Sequence, residues 1–512
     1  MKIIAGKAVS MRDYEVVLTA DRSFMSDYHL LPFLKGIRFA STRILNPSVF
    51  FRFVGPQVPR TDKGMALLAP YHTRRTEAAL LDFGFDESQV AVATPNNMCN
   101  FIGPSTKIVS ITARDPLSKV HHYSFLNPLG GESYSSLSFK KLVRDLHRKR
   151  RSFRVVVEGP GAWQLTSPED RRKFGIDHVV VGEYVTDTIP ELFDRIIKGE
   201  QAPEVVYATS TDISDVPIVR GGVTEGLVEV AQGCNRLCRF CTAPRLQCRE
   251  LRDIVAEATV NARCGQHNIT LRSDDILHYK AKGVKVNRKA VLSLYESVSK
   301  VHGVKRISQC YLNLASAVSE PSIIKEISNI SGVGSKEYPY TTALVGIESG
   351  SSRIVKTYMP GKARPFSPTE WAEVVEQGFS ICNESHWVPL GMLIIGFPQE
   401  TEEDVNETIT LVEKLRTYRS ILIPFAFEAK GMLNRKDSFR IRNMKRCHLE
   451  LVEKIFSHNI LWGKRLIKEQ AGNLSIPTWL LPLISPLIDW GVKKAYEKLL
   501  DEVTASTSLI IP

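Results

Sequence analysis

The sequence predicts an α/β protein in which a doubly wound, Rossmann-like parallel sheet precedes a partial (β/α)6 barrel and a helical C-terminal region. Two series of short apolar segments support this prediction, because helix-like segments separate the members of each series. Strands that are joined through helices pair in parallel. A third observation is that long stretches of helical periodicity follow residue 405.

The first series lies between residues 63 and 200. Its strand candidates are MALLAPY, QVAVATP, TKIVSITARDP, FRVVVEGPG and DHVVVGEYV. Ligands of doubly wound sheets bind at the carboxyl ends of the strands, so the loops after these segments are the candidate binding loops. Residues 1–62 contain one more strand candidate, YEVVLTA, and are treated as an N-terminal extension. Residues 201–222 are rich in Pro, Ser, Thr and Asp and are treated as a linker.

The second series lies between residues 223 and 430. Its strand candidates are GLVEVAQGC, NITLRSDDIL, RISQCYLN, TTALVGIESGS, VPLGMLIIGFP and SILIPFAFE. Six strand–helix units of this length favour a partial barrel over a second flat sheet. Residues 431–512 then form the helical C-terminal region.

Composition and charge limit the cellular setting. The chain has 512 residues, nine cysteines and a formal net charge of +12. So few cysteines in so long a chain do not make a disulfide framework, and the N-terminal residues lack the pattern of a secretory signal. No apolar run is long enough to span a bilayer. We therefore expect a cytoplasmic protein, and the basic charge suits an anionic partner.

Three of the cysteines lie within the stretch VAQGCNRLCRFCTAP, directly after a predicted strand. Cys234, Cys238 and Cys241 have the spacing C-x3-C-x2-C. Three thiolates on one loop can bind three irons of a four-iron cluster and leave the fourth iron open. A structural zinc ion would need a fourth ligand nearby, and the next cysteine is Cys248.

The segment C-x3-C-x-F-C after the first strand of a βα series resembles the radical S-adenosylmethionine (radical SAM) superfamily. The resemblance implies that a 4Fe–4S cluster and S-adenosylmethionine are cofactors. It also implies reductive cleavage of S-adenosylmethionine to a 5'-deoxyadenosyl radical. A small electron donor similar to ferredoxin or flavodoxin would supply the electron.

The same resemblance assigns contacts with S-adenosylmethionine to residues at the predicted strand ends. These are Phe240 beside the last cysteine, Gly346, Glu348, Ser349, Gly350 and Ser351 in GIESGS, and Gly396 in GMLIIGFPQET. The family's Gly-Gly-Glu segment is replaced here by LRSDDIL. Asp274 or Asp275 could bind the ammonium group of S-adenosylmethionine, and a helix cap explains the same residues equally well.

The stretch VVVEGPGAWQL is similar to the cobalamin-binding domain found ahead of many radical SAM cores. Gly159, Gly161 and Ala162 would let a corrin ring or its nucleotide tail approach the backbone. The alternative is a tight turn with no ligand. The histidine motif D-x-H-x-x-G is absent, so cobalamin would lack a histidine ligand, and Glu158 stands where the family has glycine.

The predicted function is chemistry at an unactivated carbon. The whole chain looks most like an archaeal branch, some members of which build cyclopentane rings into tetraether membrane lipids. The alternatives are a cobalamin-dependent C-methyltransferase and an RNA-modifying methylthiotransferase. The chain shows no appended RNA-binding module and no second cysteine triad, so we expect no nucleic-acid partner.

The segment IPTWLLPLISPLIDWGVKKAYEKLL, Ile476 to Leu500, is the main sequence support for a lipid substrate. Tryptophans beside aliphatic residues and lysines are typical of a segment that lies in a membrane interface. The protein would then lie at the cytosolic membrane face. A helix docked on the barrel explains the same composition.

Overall fold

Two sets of parallel strands organise the computed structural model. It describes residues 13–28, 36, 38–120, 131–149, 153–182, 187–208, 212–470 and 497. The N-terminal half contains strands β1 (Val16–Ala20), β2 (Leu68–Ala69), β3 (Val90–Val92), β4 (Ile108–Thr112), β5 (Arg154–Glu158), β6 (His178–Val181) and β7 (Val205–Tyr207). Its helices are α1 (Pro47–Val49), α2 (Tyr71–Phe83), α3 (Tyr134–His147), α4 (Pro168–Phe174) and α5 (Thr188–Ile197).

The C-terminal half repeats the alternation of strand and helix. Its strands are β8 (Gly222–Val223), β9 (Leu227–Glu229), β10 (Ala231–Gln232), β11 (Gln247–Cys248), β12 (Asn268–Arg272), β13 (Arg306–Gln309), β14 (Tyr311–Leu312), β15 (Thr341–Glu348), β16 (Trp387–Ile395) and β17 (Ile421–Ala426). Its helices are α6 (Leu251–Arg263), α7 (Arg288–Ser299), α8 (Leu314–Ser319), α9 (Pro321–Ser331), α10 (Ser352–Tyr358), α11 (Pro360–Ala363), α12 (Trp371–Glu384), α13 (Glu402–Lys414) and α14 (Arg446–Gln470).

The N-terminal sheet is six-stranded and parallel, in the order β3-β1-β4-β5-β6-β7. It confirms the predicted doubly wound sheet, with two differences at the ends of the range. Strand β1 comes from residues 1–62, yet its five residues are buried and pair on both sides, so it belongs to the sheet and not to a separate extension. Strand β7 lies within the predicted linker 201–222. The segment MALLAPY supplies only β2, which pairs with β8 outside this sheet.

The second set of strands forms the predicted partial barrel. Strands β9, β12 and β13 make one parallel sheet, and β14, β15, β16 and β17 make the next. Cys310 separates β13 from β14, but its N–H donates to the Leu271 carbonyl at 3.0 Å and its carbonyl accepts from the Leu344 N–H at 2.8 Å. The backbone at Cys310 therefore connects the two sheets, and β13 and β14 together occupy one strand position. The six strand positions of the barrel surround one continuous apolar core.

Helix α14 covers the last strand of the barrel. Strand β17 has an open edge, and unpaired backbone groups at an edge need a partner. Asn459 supplies it, because its side chain accepts from the Leu422 N–H and donates to the Leu422 carbonyl, both at 2.7 Å. Of the predicted C-terminal helical region, 431–512, residues 431–445 hold only two short helical turns, and α14 then runs from Arg446 to Gln470. The segment from Ile476 to Leu500 lies outside the described residues, apart from position 497. None of the described helices combines the length and hydropathy needed to cross a bilayer.

A buried charge cluster joins the two halves of the chain. The Glu257 carboxylate, on α6 of the barrel, lies 3.0 Å from the Arg75 guanidinium of α2 and 2.7 Å from that of Arg249. The Tyr71 hydroxyl of α2 donates to Glu229, at the end of β9, at 2.8 Å. Glu257 is fully buried. Among the described residues, it is the only carboxylate that forms an ion pair with these two guanidinium groups.

Candidate active site

The cysteine loop is closed at its neck by a small antiparallel ladder. Strands β10 and β11 pair Ala231 with Cys248 and Gln232 with Gln247, which brings residues 233 and 246 together. Gly233 has φ +85°, and a Cβ there would lie 2.4 Å from the Arg245 carbonyl oxygen, so the turn requires glycine. The loop thus follows the first barrel strand, as predicted, at the carboxyl edge.

The three predicted ligands differ in exposure. Cys234 and Cys238 are half-buried and Cys241 is exposed. Burial raises the pKa of the Cys234 thiol, and it raises that of Cys238 to about 11. Metal ligation requires the thiolates, so iron binding would release protons from these groups.

A single metal ion and a four-iron cluster make different demands on the three thiols of the cysteine loop. In the part of the chain that the structure describes, no three His, Cys, Asp or Glu side chains lie close enough together to hold one metal ion. A four-iron cluster binds each thiolate through a different iron, so its ligands stand further apart. The donor set of three thiols on one loop fits such a cluster.

Arg236 is part of the cysteine loop, and its buried side chain fixes the position of the loop. Its buried guanidinium donates to the carbonyls of Lys362 at 2.8 Å and Arg364 at 2.7 Å, and to the Ser316 hydroxyl at 2.7 Å. These partners follow β14 and β15, so the arginine joins the cysteine loop to the opposite part of the barrel. Gly361 contacts the same residue, because a Cβ at position 361 would lie 2.0 Å from the Arg236 carbonyl oxygen.

Gly361→Ala is expected to displace the cysteine loop and lower iron incorporation several-fold, because the backbone of Arg236 leaves no room for a methyl group. The measurement is iron and sulfide content per chain after anaerobic reconstitution. Gly463→Ala is the matched control, since its Cβ would meet only Ile421, at 4.0 Å. Equal iron content in both variants would contradict the role given to this contact.

A buried ion pair lies beside the cysteines. The Lys362 ammonium is 2.7 Å from a Glu348 carboxylate oxygen, and Gly346 makes room for the pair, because a Cβ there would overlap both side chains. Burial opposes the charge of Lys362, but the Glu348 carboxylate outweighs it and raises the pKa of the ammonium. This positive charge in turn favours the thiolate forms of Cys234 and Cys238.

The two candidate carboxylates after β12 have separate environments. Asp275 is buried, caps the short helix at residues 276–278 by accepting from the Leu277 N–H, and accepts from the Ser316 hydroxyl at 2.7 Å. Asp274 is exposed and accepts from the Gly233 N–H at 2.7 Å, at the neck of the cysteine loop. Desolvation by the surrounding protein raises its pKa. The helix-cap interpretation therefore describes Asp275, and Asp274 remains the candidate for the ammonium group.

Beside them, the hydroxyl of Ser273 is buried and finds no hydrogen-bond partner among the described residues. Buried polar groups normally have one. An orphaned hydroxyl next to Asp274 fits a polar ligand at this strand end.

The other residues of GIESGS face helix α13. The Ser351 hydroxyl donates to Asp404 at 2.6 Å, the Gly350 N–H donates to the Thr408 hydroxyl at 2.9 Å, and the Ser349 hydroxyl lies 3.2 Å from the same oxygen. These hydrogen bonds anchor the turn after β15 on α13. Glu348, with φ +65°, is the residue of this turn whose side chain reaches the cysteine region through Lys362.

Aromatic rings fill the side of the site near Gly396. The Phe240 ring lies 5.6 Å from that of Phe397, which stacks on Tyr358. Gly396 has φ +84°, and the Phe439 ring occupies the place of its Cβ, at 2.1 Å. Phe439 therefore covers the backbone at Gly396, to which the resemblance assigns a contact with S-adenosylmethionine.

In the N-terminal sheet, the predicted small residues contact a neighbouring loop. A Cβ at Gly161 would lie 2.3 Å from the Arg114 carbonyl oxygen, and one at Gly159 would lie 2.9 Å from Thr112. Ala162 is fully buried in the core. The loop after β4 thus fills the space beside these residues, which is the tight-turn geometry. Residues 121–130 and 183–186 lie outside the described residues.

Glu158 ends β5 at this edge and is buried, with the Thr112 hydroxyl donating to it. Burial raises its pKa from 4.5 to about 7. The folded state therefore holds the proton more tightly than the unfolded chain. The contribution of Glu158 to the free energy of unfolding should be greatest below pH 4.5, fall as the pH rises towards 7 and level off above it, by up to about 3 kcal/mol.

Glu158→Gln is expected to remove this loss, so that the variant gains stability over the wild type between pH 5 and pH 7. Urea denaturation across this range measures the difference. Glu191→Gln, at an exposed position of α5, is the control. Parallel pH profiles for the wild type and Glu158→Gln would exclude a neutral Glu158.

His72, at the start of α2, is affected by charges from both halves of the chain. Burial, followed by the charges of Arg272 and Arg114, lowers its pKa to about 3. Arg272 ends barrel strand β12, and Arg114 follows strand β4 of the sheet.

Sequence reasoning missed three residues of the site: Arg236, Lys362 and Phe439. Lys362 and Phe439 contact predicted residues from other parts of the chain, whereas Arg236 lies between two of the predicted cysteines. Only Arg236 could have been noticed in the sequence, because it stands inside the cysteine motif. A basic residue in a loop usually indicates a solvated surface.

The fold of this chain is thus a doubly wound parallel sheet followed by a six-stranded partial barrel whose first strand precedes three cysteines. The radical S-adenosylmethionine methyltransferase TsrM from Kitasatospora setae shares it, with a TM-score of 0.51 and 14% sequence identity over 81% of this chain and 72% of that chain. That structure contains cobalamin and a 4Fe–4S cluster. A second TsrM structure, with tryptophan and the analogue aza-SAM, matches with a TM-score of 0.51 and 15% identity over 80% of this chain and 73% of that one.

The sequence is also similar to tRNA-2-methylthio-N(6)-dimethylallyladenosine synthases. The protein from Agrobacterium fabrum is 25% identical over 288 residues, which are 54% of this chain and 60% of the relative. The protein from Syntrophomonas wolfei is 28% identical over 287 residues, which are 54% of this chain and 59% of the relative. The chain thus spans about 60% of the length of these curated relatives. No family model matches it.

Proposed function

We propose that this chain is a radical SAM enzyme that cleaves S-adenosylmethionine reductively and functionalises an unactivated carbon. The observation that carries the proposal is the loop of Cys234, Cys238 and Cys241 at the carboxyl edge of the barrel. A 4Fe–4S cluster bound there would supply one electron to the sulfonium of S-adenosylmethionine, giving methionine and a 5'-deoxyadenosyl radical.

The residues around the loop have separable roles in this proposal. Asp274 binds the ammonium group of S-adenosylmethionine and orients it by a charge-assisted hydrogen bond. Lys362, held by Glu348, offsets the negative charge that three thiolates bring to a partly buried site. Arg236 keeps the loop in register with the barrel.

For the product, we propose a new carbon–carbon bond, with cyclopentane rings in archaeal tetraether lipids as the specific case. The resemblance of the N-terminal stretch VVLTADRSFMSDYHLLPFLKG to that branch supports it, and so does the tryptophan- and lysine-containing tail. A peripheral position at the cytosolic membrane face is part of this proposal, because a lipid substrate has to be reached from there.

A second candidate function is C-methylation with cobalamin as the methyl carrier. The specific observation in its favour is that the shared fold with TsrM covers 81% of this chain, which is more than the barrel and the C-terminal region could supply without part of the N-terminal half. Methylthiolation of tRNA is the activity named for the sequence relatives. Cys99 is the only cysteine before Cys234, so the N-terminal half cannot bind a second cluster through three cysteines of its own.

Anaerobic reconstitution with product analysis separates these functions. The reconstituted protein, dithionite and S-adenosylmethionine are incubated with archaeal tetraether lipid, and mass spectrometry follows 5'-deoxyadenosine, S-adenosylhomocysteine and the lipid. Ring formation predicts 5'-deoxyadenosine and a lipid that is two mass units lighter per ring. Methylation predicts S-adenosylhomocysteine and a gain of fourteen mass units. Absence of 5'-deoxyadenosine and of S-adenosylhomocysteine would overturn the proposal.

A further inference from the structure

An apolar centre with a basic rim lies beside the cysteine loop. Leu237, within the loop, is 69% exposed, and Met432, in the segment after β17, is 67% exposed. Large apolar side chains with so much exposure are rare among the described residues. We call the surface formed by Leu237, Arg239, Met432, Arg435, Lys436 and Arg442 the basic face.

The two parts of the basic face are held together by backbone contacts. The Met432 N–H donates to the Arg239 carbonyl at 2.8 Å. Gly431 has φ +57°, and a Cβ there would lie 2.6 Å from the Cys241 carbonyl oxygen. The segment after β17 therefore packs directly on the backbone of the cysteine loop, and Met432 lies next to the exposed ligand Cys241.

The charge of this segment is strongly positive. Residues 428–445 contain six Lys or Arg and two Asp or Glu. One of the acids, Glu428, is paired with Lys430 at 3.0 Å. Arg435, Lys436 and Arg442 are exposed, and no described carboxylate forms an ion pair with them. Their positive charge is thus available to a partner.

We propose that the basic face is the docking site of a small acidic one-electron carrier protein that reduces the cluster. The inference rests on the proposed function. An exposed apolar centre with Met and a charged rim is the usual anatomy of a protein interface. Complementary charge raises the rate of encounter, which suits a brief electron-transfer contact of small area.

The position of the face matches the electron's route. Cys241 is the exposed member of the triad, so its side of the loop brings a partner closest to the irons. One electron leaves the carrier's flavin or iron–sulfur centre, which is oxidised by one unit, and the cluster of this chain is reduced by one unit. No bond is formed or broken at the interface, and no proton has to cross it.

A single-stranded nucleic acid is the other polyanion that a basic face attracts. Such ligands stack their bases on aromatic side chains. The exposed side chains at the centre of the basic face are Leu237 and Met432, and neither is aromatic. The face therefore favours an acidic protein.

The test uses the reconstituted holoenzyme and an acidic flavodoxin as the probe. The variant Arg435→Glu, Lys436→Glu, Arg442→Glu reverses the charge of the face. We expect the association rate with flavodoxin, and the rate at which reduced flavodoxin bleaches the cluster absorbance, to fall at least about tenfold at low salt. The difference should shrink at high salt. Met432→Ser should weaken binding at every salt concentration.

The matched control is Lys300→Glu, Lys305→Glu, Lys336→Glu. It makes the same change in net charge at the connections leading into β13 and β15, at the amino edge of the barrel. We expect this variant to bind and accept electrons like the wild type. Equal losses in the two triple variants would mean that net charge alone matters, and would overturn the assignment of the face.

Dithionite separates this inference from the proposed function. Both triple variants should form 5'-deoxyadenosine normally with dithionite, because that reductant needs no docking face. If dithionite gives no 5'-deoxyadenosine even with the wild type, the proposed function fails, whereas flavodoxin binding still tests the face. Tight binding of a tRNA transcript that is lost with the first triple variant, without any effect on flavodoxin, would assign the face to RNA and overturn the proposal.

Discussion

Replacing any one of Cys234, Cys238 and Cys241 with Ala should yield a folded protein that retains no stable 4Fe–4S cluster and forms no detectable 5'-deoxyadenosine. Each thiolate binds its own iron, so the loss of one opens the cluster to solvent and to oxidation. Iron and sulfide content, visible absorbance and anaerobic product analysis measure the effect. Circular dichroism checks that the variants remain folded.

Cys248→Ala is the matched control for the triad. Cys248 lies in β11 at the neck of the same loop, and its sulfur accepts the Lys280 N–H at 3.2 Å. We expect this variant to keep its cluster. Loss of metal from the Cys248 variant as well would indicate a four-cysteine site, the arrangement that a structural zinc ion prefers.

Glu257→Ala should destabilise the protein by about 3 to 5 kcal/mol, because it leaves the buried guanidinium groups of Arg75 and Arg249 without a counter-charge. The midpoints of urea and thermal unfolding measure the loss. Since this carboxylate joins the barrel to α2, separate unfolding of the two halves is also expected in the variant.

The exposed pair of Glu413 and Lys454 provides the control for the buried charge. Glu413→Ala should cost about 1 kcal/mol or less, because solvent screens the pair. Replacing Arg75, Arg249 and Glu257 together with Met should recover much of the stability that Glu257→Ala loses. A Glu257→Ala protein as stable as Glu413→Ala would show that the cluster contributes little.

The sequence predicted the parts of the fold that depend on local pattern. Apolar segments separated by helices were sufficient for both parallel sheets, and the cysteine spacing was sufficient for the loop. The strands that pair with β1 could not be predicted from the sequence, because the pattern of a short apolar strand does not specify its neighbours. The pairing with β3 and β4 depends on contacts across the whole N-terminal half.

The same limit applies to the active site. Asp274 and Asp275 are adjacent in the sequence, and the contacts that distinguish the buried Asp275 come in part from the distant residues Asn313 and Ser316. Lys362 and Arg236 meet because β14 and β15 are adjacent in the barrel. The sequence predicts close approach of a ligand at the glycines 159 and 161, with a tight turn as the alternative, and the neighbours in the structure are the end of β4 and the backbone after it.

The central position of β1 has a consequence for synthesis on the ribosome. Val16–Ala20 emerges before the rest of the sheet, yet β3 and β4 pair with opposite edges of this strand. Neither edge can be satisfied until residues 90–112 have been translated, so the nascent chain carries an apolar strand with both edges open. During that interval the strand is a target for chaperones, and slowing translation between residues 20 and 90 should increase aggregation more than slowing it after residue 112.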